Sequence, residues 1–244
     1  MTSLPKKLKE VSAIEVTSAS NILWMIEDSN TKNKLYGMNT RGDILKEIKL
    51  SDTKNKDWED LTSDENGNIY VGDFGNNSGK RDSFFIYKIT TPDQLISEVT
   101  PNIIEFEVPK KYTNKDFEAF FLWNSNFYLF SKEDKVTAIF KIKNQTGKQK
   151  ATFIGELNLK GKKNPITSAA ISDNKKTIAL LNHDKIWILT DFNEGDFSNC
   201  YVKEIALNHK SQKEGICFKN NNTIYITDEK TVKNTGNLYE FEGL

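Results

Sequence analysis

Three glutamates, Glu59, Glu118 and Glu214, and two hydroxyl residues, Ser12 and Thr167, stand at the head of five short segments of closely similar pattern. A fold that brings these positions together makes three carboxylates and two hydroxyls converge. Carboxylates crowded in this way repel one another and need protons or a cation to be tolerated. Every donor is oxygen, with no His or Cys in the set, which suits a hard cation. An irregular, roomy oxygen ring suits calcium better than magnesium. The expected cofactor is therefore calcium, held by Glu59, Glu118, Glu214, Ser12 and Thr167, the last two through side chain or backbone. The plainer alternative is a polar lining whose members face channel water or bond a neighbouring strand's backbone.

A second set lies where the same segments end: Asp28, Asp73, Lys132, His183 and Asp228. Asp28, Asp73, Arg81 and Lys132 would make a mixed-charge pocket for an anionic group and a second cation. Trp58 is the aromatic best placed to stack on a ligand. Against this stands the ordinary use of Asp and Asn as solvated turn residues. The Gly-rich run GDFGNNSGKR lacks the Gly-Lys-Ser/Thr ending of a phosphate loop, and no Gly-x-Ser-x-Gly nucleophile motif occurs.

The elements that must position these residues are strands. The five segments are SAIEVTSASNILWMIED from Ser12, EDLTSDENGNIYVGDFGNN from Glu59, EAFFLWNSNFYLFSKED from Glu118, TSAAISDNKKTIALLNHD from Thr167 and EGICFKNNNTIYITDEK from Glu214. Each reads as strand, polar turn, strand, which is a hairpin. Their heads recur at intervals of 47, 59, 49 and 47 residues, and the chain left over at the two ends makes one more interval of 42. Such periods match blades of a β-propeller. The expectation is one all-β domain over residues 1–244: a five-bladed β-propeller of four-stranded antiparallel blades. The last blade is short of one strand, so the stretch near Leu4–Lys9 is expected to supply its outer strand and close the ring. Helical periodicity is nowhere convincing. In a propeller the first strand of each blade borders the central channel, which is what would draw the five heads into a ring.

Composition narrows the function. Lys plus Arg equals Asp plus Glu at 34 each, so no net field favours a nucleic-acid polymer as partner. No apolar run is long enough to be a transmembrane segment, and the stretch before Leu50 lacks the apolar core of a signal peptide. Cys200 and Cys217 fall on strands too far apart to bridge, so no disulfide is expected.

The five motifs, in this order and register, resemble the inner strands of the calcium-activated nucleotidases, the apyrase type of five-bladed propeller. EDSNTKNKLY resembles that family's acidic segment after the first hairpin. The resemblance implies calcium in the channel and, as a possible activity, nucleotide hydrolysis. Two departures weigh against the activity: nothing before Ser12 matches the family's acidic N-terminal strand, and Ala13 stands where the family has Glu. A second resemblance is to secreted bacterial propellers of unassigned function, through Leu23-Trp24 to Asp28-Ser29, Asp57–Asp60, and Gly72 to Asn77 followed by Arg81. It implies an extracytoplasmic location, periplasmic or secreted. The expected function is a calcium-binding extracytoplasmic propeller that acts as a binding module for a small molecule, glycan or protein. The alternative is a calcium-dependent phosphoester or phosphoanhydride hydrolase.

Overall fold

A computed structural model describes residues 1–17, 20–159, 165–230 and 235–244. They form five β-sheets, and the five innermost strands neighbour one another in a closed ring. The inner strands are Val11–Val16, Trp58–Ser63, Phe117–Trp123, Ser168–Ile171 and Lys213–Asn220. Each leads by a hairpin into a second strand: Leu23–Glu27, Ile69–Asp73, Asn126–Ser131, Ile178–Leu181 and Thr223–Asp228. The fold is a five-bladed β-propeller.

Five apolar cores hold it together, one in each gap between blades. Between blades one and two, Trp24, Ile26 and Ile48 meet Trp58, Val71 and Ile89. The next gap is aromatic, with Phe84 and Phe106 against Phe117, Phe120 and Phe127. The gap between blades five and one is closed by Met25, Tyr36 and Met38 against Cys217, Tyr225 and Leu238. Alternate residues of a strand point to opposite faces, so Leu23 and Met25 fill one gap while Trp24 and Ile26 fill the other. Sheets covered on both faces need nearly unbroken apolar second strands, as in LWMIE and IALL.

Two expectations about the blades are corrected. The blades are not uniformly four-stranded. Blade one gains Glu98–Val99, which pairs in parallel with Lys49 and Leu50. Blade two gains Gly147–Lys150, parallel to Ile104–Glu107. In each case the linker of the following blade reaches back and lies on an outer edge, satisfying backbone groups that an exposed edge leaves unpaired. The surplus of the 59-residue interval forms Glu98–Val99 and the short 3₁₀ turns Pro92–Gln94 and Lys110–Tyr112. Nor do residues Leu4–Lys9 form a closing strand. Only Thr2 and Ser3 pair, with Leu238 and Asn237. Pro5 has no N–H to continue a ladder, and the chain instead turns, Leu8 N–H donating to the Pro5 carbonyl (2.9 Å). Leu4 and Leu8 then enter the core between blades five and one.

Cys217 is buried on the inner strand of blade five and Cys200 precedes the outermost strand of blade four; both are free thiols. No helix of the described residues is long and apolar enough to cross a membrane.

Candidate functional site

The heads of the inner strands share a backbone irregularity. Pairing with the second strand slips by one residue between Val11 and Ala13, Trp58 and Asp60, Phe117 and Ala119, and Lys213 and Gly215. The extra residues are Ser12, Glu59, Glu118 and Glu214. A β-bulge bends its strand and re-aims the side chain it carries, so four of the five expected ring residues are bulge residues. The fifth, Thr167, sits immediately before its strand, its N–H donating to the Leu181 carbonyl (3.0 Å).

The two hydroxyls are committed to the scaffold. Ser12 Oγ donates to the Trp58 carbonyl (2.9 Å), and Thr167 Oγ1 donates to the Lys213 carbonyl (2.8 Å). Each acceptor is the residue just before the next blade's ring glutamate, or just before Glu59 and Glu214 respectively, so both hydroxyls pin neighbouring blades. The three glutamates have different surroundings. Glu118 pairs with Lys132, and Glu214 lies 3.1 Å from His183 Nε2. Glu59 is 7% exposed and has no hydrogen-bond or ion-pair partner among the described residues.

Glu59 instead meets other acids. One carboxylate oxygen each from Asp28, Asp57 and Glu59 lie within 4.8 Å of one another, and this is the one such acidic group among the described residues. Asp57 lies two residues before Glu59, and Asp116 two before Glu118. Asp28 comes from the far side of its hairpin, its N–H donating to the Glu10 carbonyl (2.8 Å), and Lys132 and Glu229 do the same to Asp116 and Gln212 (both 2.9 Å). In blade two the corresponding donor is Gly75, to the Asp57 carbonyl (3.2 Å). A Cβ there would overlap Glu59 Oε1 and the Asp57 carboxylate. Glycine is therefore what leaves room for the two acids.

The electrostatics follow from crowding. Burial raises the Glu59 carboxyl well above its ordinary range, and Glu118, Asp28, Asp57 and Asp116 push the same way. Burial lifts Asp57 to about 6, with Asp28 and Asp116 adding to it and Arg81 opposing. Burial also raises Asp28, Asp116 and Glu118, and takes Glu229 to about 8. Burial alone would lower Lys132, but Glu118, Glu214 and Glu59 around it raise it instead. Lys132 thus sits on the Glu118–Glu214 side of this mouth, and among the described residues no cationic side chain pairs with Asp28, Asp57 or Glu59.

The second expected set is divided. Asp28 and Lys132 face this mouth, whereas Asp73 and Arg81 are paired with each other, Nη1 to Oδ1 at 2.8 Å. Arg81 also donates to the Gly75 carbonyl (3.0 Å) and the Asp73 carbonyl (2.9 Å), and Tyr87 OH donates to Asp73 (3.2 Å). Asp73 is the strand residue opposite Trp58, in register with Glu27 rather than Asp28. One step of register puts a side chain on the other face, so Asp73 and Arg81 brace the loop that carries Gly75. Trp58 is fully buried against Tyr87, ring centroids 6.0 Å apart, and offers no face to a ligand. The repeat heads alone do not single out Asp57, Asp116 or Glu229 as site residues. For Asp57 and Asp116 the two-residue strand period was the available signal. Glu229 had none, because only the hairpin register brings it here.

No curated protein matches the chain. A family model described as SdiA-regulated matches residues 2–233, nearly the whole propeller, and the chain belongs to the SdiA-regulated family.

Proposed function

We propose that this propeller is a cation-dependent binding module, with a divalent cation, calcium by donor chemistry, held by Asp28, Asp57 and Glu59. The observation that carries the reading is Glu59: a buried carboxylate without a hydrogen-bond donor among the described residues, beside two more acids and against Gly75, whose missing Cβ leaves room for it. Three carboxylates this close are costly when ionised, and a divalent cation offsets that repulsion. Calcium accepts six to eight oxygens, so about half of its shell would be left to water, carbonyls or a ligand. Oxygen-rich ligands, a glycan or an acidic protein side chain, are the chemistry that such open positions take. Location outside the cytoplasm belongs to the same reading and is supported by the likeness to secreted propellers.

Hydrolysis of a phosphoester or phosphoanhydride is the weaker reading. Metal-assisted hydrolysis draws on Lys or Arg beside the metal to neutralise the negative charge of the transferred phosphate. Lys132 already serves Glu118, and Arg81 serves Asp73. Differential scanning calorimetry with calcium and with chelator tests the binding reading. Calcium should raise the melting temperature of the wild type and leave that of Glu59→Gln nearly unchanged. Equal melting temperatures of the wild type in both conditions would overturn it.

A further inference from the structure

The other end of the channel is a separate chamber. A cavity of about 420 Å³ is lined by the last residues of the inner strands of all five blades and by the turns that follow them. Its apolar floor includes Val16, Leu122, Ile171 and Phe218, and its polar members include Glu15, Asp173 and Lys175. None of these belongs to the acidic mouth described above.

Glu15 is the distinctive group. It is half-buried at the end of the first inner strand, and its Oε1 accepts the Val16 N–H (2.8 Å). No cationic side chain pairs with it at ion-pair distance among the described residues. Lys175 acts on it from the neighbouring turn more weakly than Asp173 opposes it. The chamber therefore disfavours anions, since Asp64, Glu65 and Asp173 outweigh Lys175 even while Glu15 holds its proton. It is also poor for a bare metal ion, which needs oxygen on most sides, where this floor offers carbon. A ligand with a compact positive end and a hydrocarbon body fits both halves of the lining.

We propose that this chamber binds a small organic ammonium ligand, a primary amine or short polyamine, with its charge on Glu15 and its carbon chain against Phe218 and Leu122. This site is independent of the cation reading at the other mouth. The geometry has a proton linkage attached. Burial raises the empty Glu15 carboxyl to about 8, Asp173 adding to it and Lys175 and the Ser63 hydroxyl opposing. Cys217, itself raised by burial, is pushed further the same way by Glu15 and Asp60. Toward the rim, Asp64 accepts hydrogen bonds from Asn68 and Tyr70 (both 2.8 Å). An ammonium ligand must ionise Glu15 to pair with it, so binding releases a proton at neutral pH.

Isothermal titration calorimetry on the whole chain tests this with putrescine, butanediol and succinate, which share a four-carbon span but carry positive, no and negative charge. Putrescine alone should bind, with affinity falling about tenfold per pH unit below the Glu15 titration. Glu15→Gln should weaken it at least about tenfold, and Phe218→Ala should weaken it with the proton release intact. Glu59→Gln, at the opposite mouth, should leave it unchanged. The proposal is overturned if butanediol binds as well as putrescine, if putrescine does not bind, or if Glu59→Gln abolishes binding while Glu15→Gln does not.

Discussion

At the scale of single residues, the acidic mouth turns on how Glu59 is neutralised. Its neighbour Asp57 titrates at about 6 and Glu229 at about 8, against ordinary values of 3.8 and 4.5. Carboxyls raised in this way bind protons more tightly folded than unfolded. Their stabilising effect is complete below the ordinary values and is lost as pH rises through 6 and 8. The cation-free protein should therefore melt at progressively lower temperature as pH is raised across that window. Saturating calcium should flatten the fall, because it replaces the protons. A melting profile against pH, with calcium and with chelator, checks both slopes. Gly75→Ala adds a steric test: it should abolish the calcium response, as the new methyl takes the space of the Glu59 and Asp57 carboxylates. Sequence pattern located Glu59 here, because five hairpin heads in register point to it. For Ser12 and Thr167 the pattern left ligation and bonding to a neighbouring backbone both open, and the distance between blades gives their hydroxyls to the Trp58 and Lys213 carbonyls.

Among the elements, the bulged inner strands carry lining and ligand residues alike, and the hydrogen bonds between blades tell the two apart. Ser12→Ala removes one hydrogen bond between blades and should cost about 1 kcal/mol, while the calcium response stays intact. If Ser12→Ala instead removed that response, Ser12 would be a ligand and the bulge account would fail. A deeper tie is Asp60, fully buried. Its carboxylate accepts from Leu61 N–H (3.0 Å), Phe120 N–H (3.0 Å), Ala169 N–H (3.2 Å) and Ser168 Oγ (2.9 Å). One side chain thus joins the inner strands of blades two, three and four. Asp60→Ala strands those donors, and denaturant unfolding should show a loss of about 3 kcal/mol or more. The sequence motif DWED contains Asp60 next to Glu59, yet the two do opposite work. Strand alternation and the bulge send one to the mouth and the other between the blades.

Over the whole molecule, five blades were legible because the hairpin repeats and its spacing returns to the start. The reinforcing strands Glu98–Val99 and Gly147–Lys150 were not, since two to four residues are too few to carry a periodic signal. Closure of the ring also rests on different residues from those the repeat implied. Removing residues 1–3 deletes the short pairing with Leu238 and Asn237 and should change stability by less than about 1 kcal/mol. Removing residues 1–9 also withdraws Leu4 and Leu8 from the core between blades five and one. That should cost about 3–6 kcal/mol, from two buried leucines at about 1.5–3 kcal/mol each. Chemical denaturation of the two truncations distinguishes a ring closed by apolar packing from one closed by a strand.

The central claim is the place of the cation, and an anomalous difference map from crystals soaked in calcium tests it most directly. One strong peak is expected, bounded by the carboxylates of Asp28, Asp57 and Glu59, with Lys132 still on Glu118. No peak there, or a peak on the channel axis that displaces Lys132 from between Glu118 and Glu214, would contradict it.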